Sequence, residues 1–430
     1  MANHTLWLEL PKIMALHRRD RKAMEAYQEL KLLSLVKDIY SSNENYRRLW
    51  NESGFRPRRF KAMEDLAMLP VLSKKHIRGP AQTIQDNQPG RMQWIRHRTS
   101  GTSGEPIEVL RSWHEERFLS TIRNWAMRSL GLSARFRQAR IRVPADFDWL
   151  SDRPLRTLNR LGLFRSRVFS CFDEPGSIWK QLGEYRPDVI MGYSEAVARV
   201  ARYGIEAGNN NVNPRLAVLG GDLCTPLMER QISEAFHVPV FQTYAATEMN
   251  LIAWSCPSSK LLHICDPAVI VEVLDEEGEP VSVGESGRAV VTSLHSRTMP
   301  FIRFELGDRV VKGPAPCPCG APYSTLQSVD GREVDRLKLA NGKDIHAYVL
   351  LNDALQGDTS WIRQFQLVQD EPGVIELRIA PHNPPDKAVL ESLTLRLKQY
   401  TENTAVHIKL VEEMTLDKNG KFHLCKCNLR

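Results

Sequence analysis

The sequence lacks any apolar run that approaches the ~20 residues of a membrane-spanning helix. Residues 1–12 have neither a long apolar stretch nor a small-residue cleavage site, so we expect no secretory leader and a cytoplasmic location. Internal repeats and low-complexity segments are also lacking. Hydrophobic residues make up 42% of the 430 residues and charged residues 25%, which is typical of a folded globular protein and excludes a mainly disordered or collagen-like chain.

Cysteine is scarce, with eight residues in the whole chain, which excludes a disulfide-dense miniprotein. Without a leader, we expect these cysteines to be reduced thiols. A chain of 430 residues buries enough surface to fold without disulfides or metal, and its length favours two or three domains.

Positive charge is in excess by seven and is concentrated near the N-terminus. Residues 1–100 contain 19 Lys or Arg against 10 Asp or Glu, so the other residues are close to neutral overall. Such a region can attract nucleic acid, an anionic membrane surface or an acidic partner. The basic residues are interspersed with apolar ones at helical spacing and lack the aromatic platform of single-strand binders. We therefore interpret them as a solvated helical face and do not expect a nucleic-acid partner.

Apolar periodicity predicts a helical region over residues 1–80, in which Leu32, Leu35, Val36 and Ile39 recur every three or four residues. After residue 90, predicted strands alternate with predicted helices, which indicates an α/β domain with much parallel sheet and helices on its faces. The strands are predicted at 140–143, 188–192, 215–219 and 238–242, with helices at 194–207 and 226–236. Antiparallel strands are predicted at 269–274 and 287–294.

The last hundred residues have the pattern of a separate small α+β domain. They predict, in chain order, a helix at 347–355, strands at 363–368 and 374–379, a helix at 385–400 and a strand at 406–411. We therefore predict a large α/β domain over 1–330, with mixed sheets flanked by helices, and a small domain over 331–430.

The segment from Thr99 to Pro106 combines glycine with hydroxyl side chains. Backbone N–H groups of glycines and hydroxyl donors can surround a phosphate. The segment lacks the Gly-Lys-Ser/Thr ending of a P-loop, so by itself a plain surface turn is an equal alternative.

Further short segments follow in a fixed order along the chain. They are Leu219-Gly220-Gly221-Asp222, Tyr244-Ala245-Ala246-Thr247-Glu248, Arg303-Phe304-Glu305-Leu306-Gly307-Asp308, residues 331–338, and Asn419-Gly420-Lys421-Phe422. From about Leu69 to the C-terminus, this order and spacing resembles the core motifs of the adenylate-forming superfamily of acyl-CoA ligases. Segments 186–194 and 299–303 are most similar to its phenylacetate–CoA ligase branch, including the capsule-biosynthesis-type members.

This resemblance implies a two-step reaction. ATP and a carboxylic acid give an acyl-adenylate and pyrophosphate, and the acyl group then passes to an acceptor, for which coenzyme A is the first expectation. It also implies that the small domain is mobile. The acid itself and the oligomeric state, monomer or homodimer, are not readable from the sequence.

The resemblance also assigns roles to residues of this chain. Phosphate contacts fall to Ser100, Gly101, Thr102, Ser103, Gly104 and, at the α-phosphate, Thr247. Glu248 is assigned to Mg²⁺, a hard cation suited to carboxylate oxygen. Gly220, Gly221, Asp222 and Tyr244 are assigned to the nucleotide and acyl pockets, and Asp308 to the ribose hydroxyls. Arg332 is expected to reach ribose or phosphate, and Lys421 to offset charge developing on the reacting groups.

Two positions depart from the family pattern. Glu105 stands where many members have lysine, and an acid beside a triphosphate is repulsive. Val334, followed by Asp335, stands where the family commonly pivots its small domain on a charged residue. These departures leave open a basic binding protein that keeps the fold without catalysis. Two enzymatic alternatives also remain, namely acyl transfer to an amine or hydroxyl, and nucleotidylation of a coenzyme.

Cysteine and histidine cluster in one part of the sequence. Cys256, His263, Cys317 and Cys319 offer the thiolate and imidazole ligands of tetrahedral zinc, with Cys265 as a spare. The one-residue spacer between Cys317 and Cys319 is tighter than usual, although some members of the branch hold zinc with a comparable set. Unligated reduced thiols are the alternative.

Overall fold

A computed structural model describes most of the chain. The described residues are Ile13, 15–78, 94–98, 107–144, 153–208, 211–332, 336–347, Leu350, 361–402, 404–417 and 420–429. The hydroxyl-rich segment 99–106, the pivot positions 334–335 and most of the helix predicted at 347–355 lie outside these residues.

The helices are listed here in chain order. They are α1 (Arg21–Ser42), α2 (Glu44–Glu52), α3 (Lys75–Arg78), α4 (Trp113–Arg128), α5 (Arg153–Arg160), α6 (Pro175–Tyr185), α7 (Ser194–Glu206), α8 (Pro226–Phe236) and α9 (Lys387–Tyr400). Short 3₁₀ turns span Pro57–Arg59 and Met63–Met68. Among the described residues, none of these helices has the length and apolar character needed to cross a bilayer.

The strands have the following bounds. They are β1 (Trp94–Arg98), β2 (Glu108–Ser112), β3 (Gln138–Arg142), β4 (Ser166–Ser170), β5 (Val189–Gly192), β6 (Leu216–Gly220), β7 (Val240–Ala246), β8 (Asn250–Ser255), β9 (Leu262–Ile264), β10 (Val269–Leu274), β11 (Ser286–Ser293), β12 (Phe304–Lys312), β13 (Thr325–Arg332), β14 (Arg336–Lys338), β15 (Asp344–His346), β16 (Ile362–Gln369), β17 (Val374–Pro381), β18 (Ala405–Leu410) and β19 (Cys425–Cys427).

The predicted α/β fold class is confirmed, and several predicted elements coincide with observed ones. Helix α8 and strand β10 have the predicted bounds, and β5, β6, β11, β16 and β18 agree within one residue. Strand β7 begins at Val240 rather than at the predicted Val238. His237 closes α8 in the left-handed conformation, with φ +54°, and Pro239 has no N–H to donate to a neighbouring strand.

The described residues fall into two compact units, each built from two stretches of the chain. Unit 1 contains 1–131 and 243–329, and unit 2 contains 132–242 and 330–430. The chain passes between the units within β7 and within β13. The predicted boundary near residue 330 therefore coincides with one of these passages, while a small mobile domain over 331–430 stays a prediction.

Unit 1 joins an N-terminal helical region to an antiparallel sheet. Its strand order is β10-β11-β12-β13-β9-β8, followed by the end of β7. Helix α1 buries the predicted apolar stripe, and its Gln28 Nε2 donates to the carbonyl of Val269 at 3.1 Å. Tyr46 of α2 donates its hydroxyl to the carbonyl of Pro300 at 2.6 Å. These contacts attach the helices to segments more than 200 residues away in the chain.

Unit 2 contains a parallel sheet in the order β4-β3-β5-β6, continued by the start of β7. Its C-terminal part forms a second sheet, β18-β17-β16-β19, with α9 beside it. The two parts share one apolar core, to which the parallel sheet contributes Ile141 and Ile190 and the C-terminal sheet Leu367 and Leu377. Continuous burial of this kind is expected where helices cover the faces of a parallel sheet.

Helices α6, α7 and α8 pack together through one aromatic side chain. Trp179 of α6 is buried and stacks on Phe236 of α8, with ring centroids 5.4 Å apart. Gly204 of α7 faces this indole so closely that a Cβ there would lie 2.2 Å from the ring. The absence of a side chain at position 204 therefore permits the three helices to pack.

We predict that Gly204→Ala lowers the free energy of unfolding by about 1–3 kcal/mol, because the buried indole of Trp179 cannot move aside. Gly176→Ala is the matched control, since the added methyl meets the ring of Tyr203, which is 40% exposed and free to rotate outward. Urea unfolding of both variants measures the difference. Equal stability of the two variants would contradict the proposed packing constraint.

Candidate active site

Unit 1 brings together residues from two of the sequence motifs. Tyr244 lies near the end of β7, and its hydroxyl donates to Asp308 Oδ2 on β12 at 2.7 Å. The neighbouring Gly307 has φ +80°, a conformation that glycine adopts without strain. Tyr244 is buried and Asp308 is half-buried, so this hydrogen bond fixes the orientation of the carboxylate.

The turn after β7 carries Thr247 and Glu248. Glu248 is only 5% exposed. Arg111 of β2, also buried, donates Nη2 to the carbonyl of Thr247 and Nη1 to Glu116 Oε2, the latter at 2.9 Å. Arg111 therefore holds the backbone of this turn in place.

Residues Arg111 and Glu116 were missed by the sequence reasoning. His97 Nε2 lies 2.9 Å from the same oxygen of Glu116, which completes a three-residue network. Burial disfavours the charged form of Glu116, but the hydrogen bonds and charges of His97 and Arg111 outweigh it and lower its pKa to about 2. The capping box formed by Ser112 and Glu115 is the sequence signal that could have predicted the start of α4.

The hydroxyl-rich segment connects two paired strands. Strand β1 ends at Arg98 and β2 begins at Glu108, and these two residues are opposite each other in the antiparallel register. The residues that flank the segment therefore belong to the same pair of strands that carries His97 and Arg111. Ser100, Gly101, Thr102, Ser103 and Gly104 themselves lie outside the described residues.

In unit 2, the glycine pair at the end of β6 lies close to the C-terminal segment that contains Lys421. Gly221 has φ +93°, and a Cβ there would lie 2.9 Å from the ring of Tyr193. On the same ring, Lys421 Nζ lies 5.7 Å from the centroid, within the range of a cation–π contact. Gly221, Tyr193 and Lys421 therefore lie together, with Gly220 at the end of β6.

Lys421 is held by a tight turn. The Asp417 carboxylate accepts the N–H of Lys421 at 2.8 Å. A Cβ at Gly420 would lie 2.4 Å from Cys171 Sγ and 2.6 Å from a methyl group of Val143. These two residues directly follow β4 and β3, so Lys421 lies at the carboxyl ends of the parallel strands. Open parallel sheets bind their ligands at this edge.

Asp222 binds the start of α7. Its carboxylate accepts the N–H groups of Ser194 at 2.6 Å and of Glu195 at 3.4 Å. Burial raises the pKa of Asp222 to about 6, against the opposing effect of these hydrogen bonds and of the Lys421 charge. Its position beside Lys421 agrees with a place at the site, while its hydrogen bonds give it a positioning role.

Cys256, His263, Cys317 and Cys319 converge in unit 1, with their ligand atoms within 4.8 Å of one another. The Sγ atoms of Cys317 and Cys256 are 3.9 Å apart, and Cys319 Sγ lies 3.3 Å from His263 Nε2. Ligands at Zn–S distances of about 2.3 Å in a tetrahedron are separated by ~3.8 Å, so the spacing fits zinc. Burial and the charge of His17 lower the pKa of His263 to about 4, which leaves its ring neutral.

The structure thus groups the predicted residues within each unit. Unit 1 holds Tyr244, Thr247, Glu248, Asp308 and the Cys/His cluster, and unit 2 holds Gly220, Gly221, Asp222 and Lys421. Cys265, the spare ligand, is buried outside the cluster of four. Arg332 ends β13, and its side chain lies outside the described part.

Comparison with known proteins identifies relatives over most of the chain, although no protein-family model matches it. A phenylacetate–coenzyme A ligase of Thermus thermophilus is 25% identical over 329 residues, which cover 74% of this chain and 72% of that protein. Protein CapK of Staphylococcus aureus is 24% identical over 258 residues, 58% of this chain and 55% of that protein.

Among solved structures, 2-hydroxyisobutyryl-CoA ligase bound to an acyl-AMP in its postadenylation state is similar in fold. The TM-score is 0.78 at 19% identity, and the match covers 95% of this chain and 89% of that one. The large sheet flanked by helices is therefore shared with an enzyme that has been captured with its acyl-adenylate.

We predict that Arg111→Ala lowers the free energy of unfolding at pH 7 by about 1.5–3 kcal/mol, because it removes a charged hydrogen bond and leaves the half-buried Glu116 carboxylate with His97 alone. Arg96→Ala is the matched control. It removes an exposed ion pair with Glu108 and should cost less than ~1 kcal/mol. Urea unfolding at pH 7 measures both.

The pH dependence gives a second measurement on the same variants. Because the folded pKa of Glu116 is about 2, its contribution is present above the unfolded value of ~4.3 and is lost as the pH falls towards 2. Arg111→Ala raises that pKa, so stability should depend less on pH in this window. If the unfolding free energy of Arg111→Ala changed with pH in the same way as that of wild type, the proposed network would be contradicted.

Proposed function

Because this chain belongs to the adenylate-forming superfamily of acyl-CoA ligases, we propose that it activates a carboxylic acid with ATP and passes the acyl group to coenzyme A. Its relatives confirm the resemblance to the phenylacetate–CoA ligase branch that the sequence motifs indicate. The observation that best supports this reaction is the position of Lys421 at the carboxyl ends of the parallel strands, beside Gly221 and Tyr193.

Lys421 supplies the positive charge for the first step. Attack of a carboxylate on the α-phosphate of ATP brings two anions together and concentrates negative charge in the transition state. An ammonium group positioned in advance lowers this barrier without reorganisation during the reaction. The close packing of Gly420 against Cys171 and Val143 supports this role, because it brings the turn that carries Lys421 to the carboxyl ends of the strands in the conformation described here.

The remaining assigned residues bind the nucleotide. Thr247 contacts the α-phosphate, and its turn is held by Arg111. Asp308 accepts the ribose hydroxyls while Tyr244 orients it. Glu248 would hold Mg²⁺, which prefers carboxylate oxygen and would shield phosphate charge. Segment 100–104 is assigned to the β- and γ-phosphates, and Gly220 and Gly221 are assigned to the borders of the adenine and acyl pockets.

Residues 331–430 form the mobile part of the enzyme in this proposal. One site that serves two steps requires that Lys421 approach for adenylate formation and withdraw for thiol attack. In unit 2, this region shares an apolar core with α7 and α8, and their contact also includes polar links that can be exchanged for water. Gln364 Nε2 donates to Glu195 at 3.0 Å, and Gln231 Nε2 donates to the carbonyl of Arg363 at 3.3 Å.

We further propose that Cys256, His263, Cys317 and Cys319 hold a structural Zn²⁺. The donor set is three thiols and one neutral imidazole at tetrahedral spacing, with no position left for a substrate. The ion would join β8, β9 and the segment after β12, and so stabilise unit 1 rather than take part in the reaction.

For the metal, we predict about one zinc per chain in protein purified without chelators. Cys317→Ser should lower the zinc content and the melting temperature by about 5–10 °C, since 1 kcal/mol corresponds to roughly 2–4 °C in a unit of this size. Cys427→Ser, a half-exposed cysteine of unit 2, is the control. Metal analysis without zinc in the wild-type protein would exclude the site.

For the reaction, we predict that Lys421→Ala reduces acid-dependent pyrophosphate release by ~10²–10³ and changes ATP affinity much less. The variant should still convert an acyl-adenylate made in advance to thioester. Lys426→Ala removes an exposed lysine five residues away and should behave as wild type. Wild-type pyrophosphate release by Lys421→Ala would make Lys421 a surface residue.

The substrate screen uses aromatic, aliphatic and amino acids with ATP and Mg²⁺, and it measures pyrophosphate. Acids that release pyrophosphate are then offered coenzyme A, an amine or an alcohol as acceptor. Thioester formation supports the proposal. Pyrophosphate release with amide or ester formation alone would move the chain to the acyl-transfer alternative, and no release with any acid would overturn the assignment as a ligase.

A further inference from the structure

Unit 2 contains a cavity that the proposed reaction does not use. Its volume is about 480 Å³, and its walls include Arg137, Arg165, Ser166, Arg167 and Tyr185. Three of these side chains are guanidinium groups, Ser166 and Tyr185 carry hydroxyls, and the lining is completed by Asn159 and Glu184. The cavity is therefore lined mainly by groups that bind negative charge.

The cavity lies at the edge of the parallel sheet opposite to Lys421. Gln138 and Ser166 begin β3 and β4 and are opposite each other in the parallel register. Lys421 is packed where the same strands end, through Gly420. Five-residue strands rise ~3.3 Å per residue, so roughly 15 Å of sheet separates the two places. One small ligand group cannot occupy both.

Positive charge dominates around the cavity. The Tyr185 hydroxyl is subject to the charges of Arg165, Arg137 and Arg167 and to one carboxylate, Asp188. Asp188 is already shared, since its oxygens lie 3.9 Å from Arg137 Nε and 3.5 Å from Arg215 Nε. The other acid in the wall, Glu184, is exposed at the rim. The guanidinium groups thus outnumber the carboxylates that face them.

Arg165 and Arg167 are exposed, and each is oriented by contacts within unit 2. The guanidinium of Arg167 lies 5.0 Å from the ring centroid of Phe169 and donates to Gln181 Oε1 at 3.0 Å. Arg165 Nη2 donates to the carbonyl of Arg135 at 2.9 Å. Each guanidinium keeps further N–H groups for a ligand, because arginine has five. Such preorganisation lowers the entropic cost of binding.

A buried hydroxyl in the wall also lacks a partner. Ser166 Oγ is inaccessible to solvent and makes no hydrogen bond within the described part of the chain. Because this oxygen is inaccessible to solvent, a ligand oxygen reaches it only when the cavity wall shifts, and the hydrogen bond then formed recovers the free energy that the unpaired hydroxyl costs. Burial raises the pKa of Tyr185, so the phenol stays protonated and is a donor as well.

We propose that this cavity is a second anion site that binds a phosphate group, either free phosphate or the phosphate of a small monoester. Several guanidinium groups, a serine hydroxyl and a phenol offer more donors than the two oxygens of a carboxylate can accept. A phosphate has three or four acceptor oxygens and matches the fork geometry of arginine. The volume leaves room for the organic part of a monoester. Because the site is on the edge away from Lys421, the phosphate bound there is distinct from the groups that react beside Lys421.

The test is calorimetric titration of the full-length protein with inorganic phosphate and, separately, with glycerol 3-phosphate, at constant ionic strength. Wild type and Lys421→Ala should bind equally, because Lys421 is not part of the site. Arg167→Gln should weaken binding roughly tenfold or more, since a hydrogen bond to a charged group is lost, and Ser166→Ala should weaken it less. Arg58→Gln, an exposed arginine of unit 1, is the charge-matched control and should bind as wild type.

Binding that is unchanged in both Arg165→Gln and Arg167→Gln, or no binding beyond that of chloride at equal ionic strength, would overturn the proposal. If Arg167→Gln fails to fold, Arg167→Lys is the second variant. It keeps the positive charge but loses the paired N–H donors of the guanidinium, so it should still bind phosphate more weakly than wild type. Tighter binding of glycerol 3-phosphate than of phosphate would assign the site to a monoester. Pyrophosphate release by the same variants tests the ligase proposal separately, because this activity should remain when phosphate binding to the cavity is lost.

Discussion

The contact of the Gly420 backbone with Cys171 and Val143 determines where the C-terminal part of unit 2 meets the parallel sheet. Any side chain at position 420 would overlap atoms that directly follow β3 and β4, so the turn can approach the sheet only without one. The same requirement recurs at Gly192, where a Cβ would lie 2.3 Å from the carbonyl of Ile141. The position of Lys421 depends on this exclusion of side chains at the carboxyl edge.

Unit 1 depends instead on buried ion pairs that join distant parts of the chain. Arg303 binds both oxygens of Glu272, at 3.0 and 2.9 Å, and also donates to the carbonyl of Leu69 at 2.6 Å. Arg21 of α1 lies 2.5 Å from Asp266. A buried charge that loses its partner costs several kcal/mol, so these pairs favour one arrangement of helices on the sheet over others. The segment 299–303, which marks the branch of the family, thus has an architectural role.

The strand and helix pattern of this chain was readable from local sequence. The stripe of α1, the bounds of α8 and β10, and the β-β-α-β order of residues 362–410 follow from apolar periodicity and from turn residues. Such signals are local, because period and capping depend on residues three or four positions apart. Helices α4 and α6 were not predicted from the sequence, because their apolar residues are mixed with charged ones. The capping box of Ser112 and Glu115 does mark the start of α4.

The sequence by itself determined which residues are candidates for the site, since their motifs follow the order of those in the adenylate-forming superfamily. Only the tertiary structure brought Tyr244 to Asp308 and Arg111 to Thr247, and only it made a cavity out of Arg137, Arg165 and Arg167. These pairings depend on strand order and on which edge of a sheet each loop occupies. A one-dimensional pattern does not contain that order, because residues 64 and 136 positions apart meet only after the sheet has formed.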